Sequence, residues 1–362
     1  MREPIRVLCI FSTLDRGGAE SMCMNLYRNI NRKRVQFDFV KHTSKKGDFE
    51  EEILEMGGQI FEAPRLTALN LVLYVSWWER HFRKHPEHYI IHGHFFTISP
   101  VYFAIAHRHN RLTVGHVHAS HINGKYKNWL VSMIASKSDV CLACSEQAGN
   151  WVFPNRKFVV LKNALDISLY TFNPKTREEY RKRLNLDNTC FVLGTVANFS
   201  AVKNPMGLLK IFECIHKKNK AIKLLWVGDG SFRKEIERTI KEAGLDESVI
   251  LLGTRSDVPK LLQCIDCFLL PSFNEGLPVS LIEAQAAGLP CYISDTITRE
   301  VDVTGLCKFL PINNENEWCN NIIEYTGERL DTSSKLKKAG YDVCDTAKWA
   351  ERFYLKLNEV RR

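Results

Sequence analysis

Two glutamates eight residues apart are the most chemically suggestive pair in the chain. They lie in the segment PSFNEGLPVSLIEAQAAGLP, residues 271–290. This segment follows an apolar, strand-like run and opens a helix with Pro278 near its first position, where a missing N–H is tolerated. Glu275 falls on the loop just before that helix and Glu283 falls inside it. A helix N-terminus offers free N–H groups and positive partial charge, suited to a phosphate or to sugar hydroxyls. A carboxylate beside it can accept hydrogen bonds from vicinal hydroxyls, as the ribose-binding acid of dinucleotide folds does. Two such acids suit one sugar and one ribose. Spacing alone equally allows Glu275 to serve the helix dipole and Glu283 to be a solvated helix residue.

Other residues carry weaker signals. Gly17-Gly18 follows the first strand; it is either a tight turn or a place where backbone amides approach a phosphate unobstructed. His92 and His94 (HGHFF), and His116, His118 and His121 (GHVHASH), cluster at strand ends. An H-x-H on a strand puts both rings on one face, which suits a metal; packing or capping is the reading preferred for His94 and His116. The pairs Cys141/Cys144 and Cys264/Cys267 lie in apolar runs and read as packed thiols rather than zinc ligands. Gly228-Asp229-Gly230 is half of a dinucleotide fingerprint without its third glycine, so a nicotinamide dehydrogenase is not expected. No Asp-x-Asp stands at a strand end, and no metal is assigned.

The elements that must position these residues alternate along the chain. Ile5–Phe11, Gln36–Val40, Tyr89–His92, Leu112–Val117, Val140–Cys144 and Phe158–Leu161 read as strands with helical segments between several of them. The charged stretch from Asp166 to Asn188 reads as a linker leading into a short helix. The pattern then restarts, with strands at Phe191–Val196, Lys223–Val227, Val249–Leu252, Cys267–Leu270 and Pro290–Ile293. This predicts an α/β protein with two Rossmann-like, doubly wound domains in series. The expected boundaries are an N-terminal domain at 1–165, a linker at 166–188, a C-terminal domain at 189–345 and a final helix at 346–362, free to pack on either domain. Ligands of such sheets bind outside the carboxyl ends of the strands. Two facing domains would place the site in the cleft between them.

The segment 271–290 resembles the signature of family 4 glycosyltransferases, the retaining GT-B enzymes. The wording EGLPVSLIEAQAAGLP is similar to that of bacterial capsule and exopolysaccharide glycosyltransferases. The likeness covers nearly the whole chain, with LDRGGAE, ACSEQAG, KNALD, FSAVKNP, LLWVGDG and GTRSDVPKLLQCIDCFLLPSFNEG in the expected order. It implies that Glu283 holds the nucleotide ribose, and that Glu275 with the N–H groups of Gly276 and Leu277 holds the transferred sugar. It implies that Lys203 neutralises the diphosphate, that the Gly17-Gly18 loop faces it, and that His118 contacts the donor sugar near the reacting carbon. Gly228 is a further expected donor-binding position, and backbone around Gly253–Arg255 is the expected place for the nucleobase. One departure stands out. The family has Gly-Arg where this chain has Ala197-Asn198, so Asn198 offers a neutral hydrogen bond in place of a second cation.

The resemblance therefore implies transfer of a sugar from a nucleoside diphosphate, UDP first among them, to a hydroxyl of a saccharide or lipid-linked saccharide. Retention, no metal and no cofactor are expected. A nucleotide-sugar epimerase on the same fold, and a non-catalytic nucleotide-sugar-binding homologue, are the alternatives.

Composition agrees with a globular chain. It has 362 residues, 45% hydrophobic and 25% charged. No apolar stretch is long enough for a membrane span, no secretory signal is evident, and twelve scattered cysteines read as reduced thiols of a cytoplasmic protein. The net charge is +9, and residues 1–170 carry 22 Lys and Arg against 15 Asp and Glu. Charge alone suits an anionic partner, such as nucleic acid, an acidic membrane or a phosphorylated acceptor, or equally a solvated basic surface; with the resemblance, nucleic acid is not the expected partner. The segment LNLVLYVSWWERHFRKH, residues 69–85, either lies on an anionic membrane with Trp77 and Trp78 down or, as preferred, is a core-facing helix with a basic outer face.

Overall fold

The computed structural model describes residues 3–94, 98–118, 133, 135–323 and 328–359. The chain divides into two compact units, residues 1–165 with 340–362, and residues 166–339.

The first unit holds seven strands: β1 Ile5–Ile10, β2 Val35–Lys41, β3 Ile60–Glu62, β4 His88–Gly93, β5 Leu112–Val117, β6 Val140–Ala143 and β7 Val159–Val160. Their order is β3-β2-β1-β4-β5-β6-β7 and every pairing is parallel. The described helices are α1 Gly18–Asn29, α2 Glu50–Glu55, α3 Leu71–Lys84, α4 Ser99–Arg108 and α5 Glu146–Val152. Alternation along β1 shows why both faces are covered. Val7 and Cys9 pack with α1, while Leu8 and Ile10 pack against Tyr74, Trp78 and Phe82 of α3 and Tyr102 and Phe103 of α4.

The second unit holds α6 Ile167–Tyr170, α7 Pro174–Arg183, β8 Val192–Val196, α8 Pro205–Lys218, β9 Lys223–Val227, α9 Arg233–Glu242, β10 Val249–Leu251, α10 Val258–Cys264 and β11 Cys267–Leu270. It continues with α11 Val279–Ala286, β12 Cys291–Ser294, β13 Cys307–Leu310, α12 Glu315–Ile323 and α13 Ser333–Lys338. Its strand order is β10-β9-β8-β11-β12-β13, again all parallel. Leu193, Leu224, Trp226, Cys267 and Leu269 fill one face beneath α8 and α9.

Residues 166–188 are part of this second unit. Arg181, fully buried, donates to the carbonyls of Cys264, Asp187, Asn188 and Cys190 and pairs with Asp266 at 2.7 Å. Arg177 takes the other Asp266 oxygen at 2.6 Å. A segment that looks solvated by composition is thus pinned to the sheet by its own cations. After Ala339 the chain returns to the first unit, where Leu165 N–H donates to Tyr341 O. Helix α14, Val343–Glu359, then buries Ala347, Ala350 and Tyr354 in the first core.

Two edge strands, β3 and β13, were not foreseen. The membrane reading of residues 69–85 with both tryptophans down is corrected. Trp78 is buried in the core and Trp77 packs half-buried against it, so α3 is a core-facing helix. Its exposed apolar residues are instead at its start: Leu69 is 99% exposed, Val72 81% and Leu73 61%. No described helix is long and apolar enough to cross a membrane.

Candidate active site

In a doubly wound sheet the chain ends diverge where the strand order reverses, and ligands bind there. In the second unit that point lies between β8 and β11. The loop after β8 carries Asn198 and Lys203; the loop after β11 carries Glu275.

Local contacts bring these two loops together. Gly228 has a positive φ of 145°, and a Cβ there would lie 2.0 Å from Ala197 O, so glycine lets the loop after β8 rest directly on the backbone after β9. Phe199 N–H then donates to Asp229 O at 2.9 Å. The chain makes a short 3₁₀ turn over Ala201–Lys203 and reverses at Asn204, which is left-handed at φ 52°. Asn204 caps α8 through Gly207 N–H and reaches across to Pro271 O at 3.0 Å. Phe273 N–H donates to Val202 O at 2.8 Å.

The outcome is a short ion pair. Lys203 Nζ lies 2.5 Å from a Glu275 carboxylate oxygen, and both side chains are largely shielded from water. Neither the Gly276 nor the Leu277 N–H makes a hydrogen bond among the described residues. Pro278 precedes α11 as its N-cap residue.

Glu283 sits in α11, half-buried, and accepts a 2.6 Å hydrogen bond from Tyr170 Oη. Burial raises its carboxyl above the usual range, and the Tyr170 hydrogen bond opposes that rise. This is not the solvated helix residue that spacing alone allowed. Sequence reasoning missed Tyr170, which lies 113 residues away in the presumed linker, and Asn204. The Asn-Pro pair at 204–205 was a legible signal for a left-handed cap before a helix.

Other expected residues are placed differently. Asn198 is exposed, and its side-chain oxygen accepts from Ser200 Oγ at 2.9 Å. Arg255 is held by Asp257 at 2.7 Å, so its guanidinium is already engaged. Gly253 O accepts from Gly228 N–H at 2.9 Å, which joins the backbone after β10 to that after β9.

The first unit has its own reversal point, between β1 and β4. Gly17 is the N-cap residue of α1, and its N–H is used by Asp15 O. The side chain of Glu20 folds back so that a Cβ on Gly17 would meet its carboxylate. Burial pushes the Glu20 carboxyl up to about 7. His94 and His118 stand just past the ends of β4 and β5, and His94 Nδ1 lies 2.8 Å from His118 Nε2. Burial depresses His118 to about 3, so its ring is neutral. His121 lies outside the described residues.

Two parallel doubly wound units with their polar residues at the reversal points define the GT-B class. Comparison with known proteins agrees. The family described as "Glycosyl transferases group 1" matches residues 176–341, and "Glycosyltransferase Family 4" matches residues 16–169. The putative glycosyltransferase EpsF of Bacillus subtilis (strain 168) is 32% identical over 93% of this chain and 93% of its own. The UDP-Gal:alpha-D-GlcNAc-diphosphoundecaprenol alpha-1,3-galactosyltransferase of Escherichia coli is 30% identical over 48% of this chain and 46% of its own. Among solved structures, Anabaena HepE in complex with UDP and glucose superimposes with a TM-score of 0.79 at 20% identity, covering 97% of this chain and 99% of that one. This chain belongs to glycosyltransferase family 4. It is a glycosyltransferase of polysaccharide biosynthesis.

Proposed function

We propose that the enzyme takes its sugar from a nucleoside diphosphate, with UDP the first nucleotide to test, and delivers it with retention to a hydroxyl of a lipid-linked saccharide. The observation that carries this reading is the Lys203–Glu275 pair at the β8/β11 reversal. A departing nucleoside diphosphate gains negative charge in the transition state, and a fixed cation there is catalytic. An arriving diphosphate competes for Lys203 and frees the Glu275 carboxylate to accept sugar hydroxyls. The Gly276 and Leu277 N–H groups are available to the same ligand. Glu283 has one oxygen on Tyr170 and another for the ribose. Backbone at Gly228 and Gly253–Arg255 takes the base. Asn198 supplies one neutral contact.

Lys203 and the N–H groups meet the diphosphate without a divalent ion, so no metal or cofactor is part of this reading. His118 contacts the donor sugar, and the Gly17-Gly18 loop contacts its diphosphate. No carboxylate is assigned as nucleophile. The bond from the anomeric carbon to phosphate oxygen breaks, the acceptor oxygen bonds to the same face, and its proton passes to the departing phosphate.

The donor reading is supported by the UDP and glucose held by HepE, and the acceptor by the diphosphoundecaprenol in the name of the Escherichia coli relative. A lipid-linked acceptor places the enzyme at the cytoplasmic face of the membrane. The first turn of α3 suits that contact. Exposed Leu69, in the turn before α3, and exposed Val72 and Leu73 lead along one helix face to exposed Arg80, Arg83 and Lys84, which suit anionic headgroups.

The test separates the two glutamates. Ribose contacts are similar in ground and transition states, so Glu283→Ala should chiefly raise the donor KM. Glu275→Gln misplaces the reacting centre and should lower kcat by roughly 100-fold. Transfer is measured over a panel of nucleotide sugars, with thermal melting of each variant. Wild-type kcat in a folded Glu275→Gln variant would refute the assignment. Loss of transfer in EDTA, restored by Mn²⁺, would refute the metal-free reading.

A further inference from the structure

The ends of β4 and β5 gather four imidazoles. The strands are parallel neighbours, with His92 opposite Val114 and Gly93 opposite Gly115. Extending that register puts His94 level with His116, with His92 two residues before and His118 two residues after, all on the same face. Ring centroids lie 4.1 Å apart for His92/His94, 5.2 Å for His94/His116, 5.1 Å for His94/His118 and 4.2 Å for His116/His118.

This group is poorly satisfied by the protein. His92 Nδ1 reaches Tyr354 Oη at 2.7 Å, and His94 Nδ1 reaches His118 Nε2. Among the described residues, His92 Nε2, His94 Nε2, His118 Nδ1 and both nitrogens of His116 are buried without a hydrogen-bond partner. The Leu161 backbone is close enough to act on His116 but not at hydrogen-bonding geometry. His116 is 1% exposed. Buried polar groups left unmatched are costly, and a run of them asks for a ligand.

We propose that His94, His116 and His118 form a binding site for a borderline-soft divalent transition-metal ion, with zinc as the defining case. One ring nitrogen from each lies within 4.8 Å of the others. Zinc–nitrogen bonds of about 2.0–2.1 Å in a tetrahedron put ligand atoms roughly 3.3 Å apart. The 2.8 Å His94–His118 contact must open slightly and the wider separations must close. Neutral imidazole is the ligand form. The proton shared by His94 and His118 moves to the other nitrogen of the ring that carries it, so no proton is released. Phe11 stacks on His94 at 4.4 Å and fixes its plane. Cys9 with His92 and His94 forms an overlapping group, which a thiolate charge-transfer band would reveal.

Three protein ligands leave a fourth position open. Occupancy engages His118. The ion is thus expected to inhibit transfer rather than to support it; that consequence alone rests on the role proposed for His118.

The experiment uses the full chain, stripped with chelator, at pH 7.5. Zn²⁺ is titrated by calorimetry, and Co²⁺ is added as a spectroscopic probe. One tight site per chain is expected, with the visible bands of four- or five-coordinate Co²⁺. His94→Gln and His116→Gln should each weaken it by roughly tenfold or more. His85→Gln, in a separate His85/Glu87/His88 group, should not. The Co²⁺ spectrum of the unaltered chain reads the ligands even if a variant fails to fold. No saturable binding, a weak octahedral spectrum, a thiolate charge-transfer band, or loss of the site in His85→Gln would each overturn the proposal.

Discussion

Acid should destabilise the first unit in a calculable way. His81, His92 and His118 are each depressed to about 3, chiefly by burial. An unfolded histidine titrates near 6.5. Between those values the unfolded chain binds one more proton per histidine than the folded chain, so stability falls as pH falls below about 6.5. Glu20 works the other way. Its folded carboxyl, raised to about 7, keeps a proton that the unfolded chain has lost above about 4.5, so it stabilises as pH falls from 7. The balance between pH 4.5 and 6.5 is two protons, or about 2.7 kcal/mol per pH unit. At pH 5 the loss is about 4 kcal/mol, a large part of the roughly 5–15 kcal/mol that holds a domain together. His94 and His116 shift in the same direction and add to it.

The second unit contains a single histidine, His216, which burial also depresses, so it carries much less of this liability. Urea unfolding between pH 5 and 7.5, in chelator, with hydrogen exchange to resolve the two units, is the assay. The first unit should weaken steeply below pH 6.5 while the second holds. Glu20→Gln removes the opposing group and should steepen the slope by about 1.4 kcal/mol per pH unit. His116→Met should flatten it. A first unit equally stable at pH 5 and 7.5 would mean that these rings protonate in place, and the burial argument would fail.

Two further outcomes are expected. Arg181→Met strands the carbonyls of Cys264, Asp187, Asn188 and Cys190 and removes a buried partner of Asp266, so the second unit should lose about 3–5 kcal/mol by urea unfolding. Asn198→Arg restores the cation that the family usually has, and calorimetry should show UDP binding tightened by about 1 kcal/mol or more.

Residue types were more legible than residue meetings. The alternation of strands and helices, the loop positions of Glu275 and Lys203, and the core-facing preference for α3 could all be read from periodicity and resemblance. The Lys203–Glu275 contact was not legible, because it spans 72 residues and exists only where β8 and β11 are neighbours. Strand order is set by packing the whole sheet, and no local signal encodes it. The segment at 166–188 hid its role for a different reason. Its arginines look solvated by type, but Arg181 and Arg177 point inward to carbonyl oxygens and to Asp266. The same segment brings Tyr170 to Glu283.

These hidden contacts bear on how Glu283 is tuned. Burial disfavours its charged form, and a protonated acid is a poorer acceptor for ribose hydroxyls. Tyr170 donates to the carboxylate and opposes that shift. A ribose donating two more hydrogen bonds would favour the charged form further. Nucleotide binding should therefore shift the Glu283 carboxyl back toward its charged form, and Tyr170→Phe should make that coupling larger. Donor binding measured by calorimetry in two buffers of different ionisation enthalpy reads the proton directly. More proton release in Tyr170→Phe than in the unaltered chain is the expected result. Identical release in both would show that Tyr170 positions the side chain without tuning its charge.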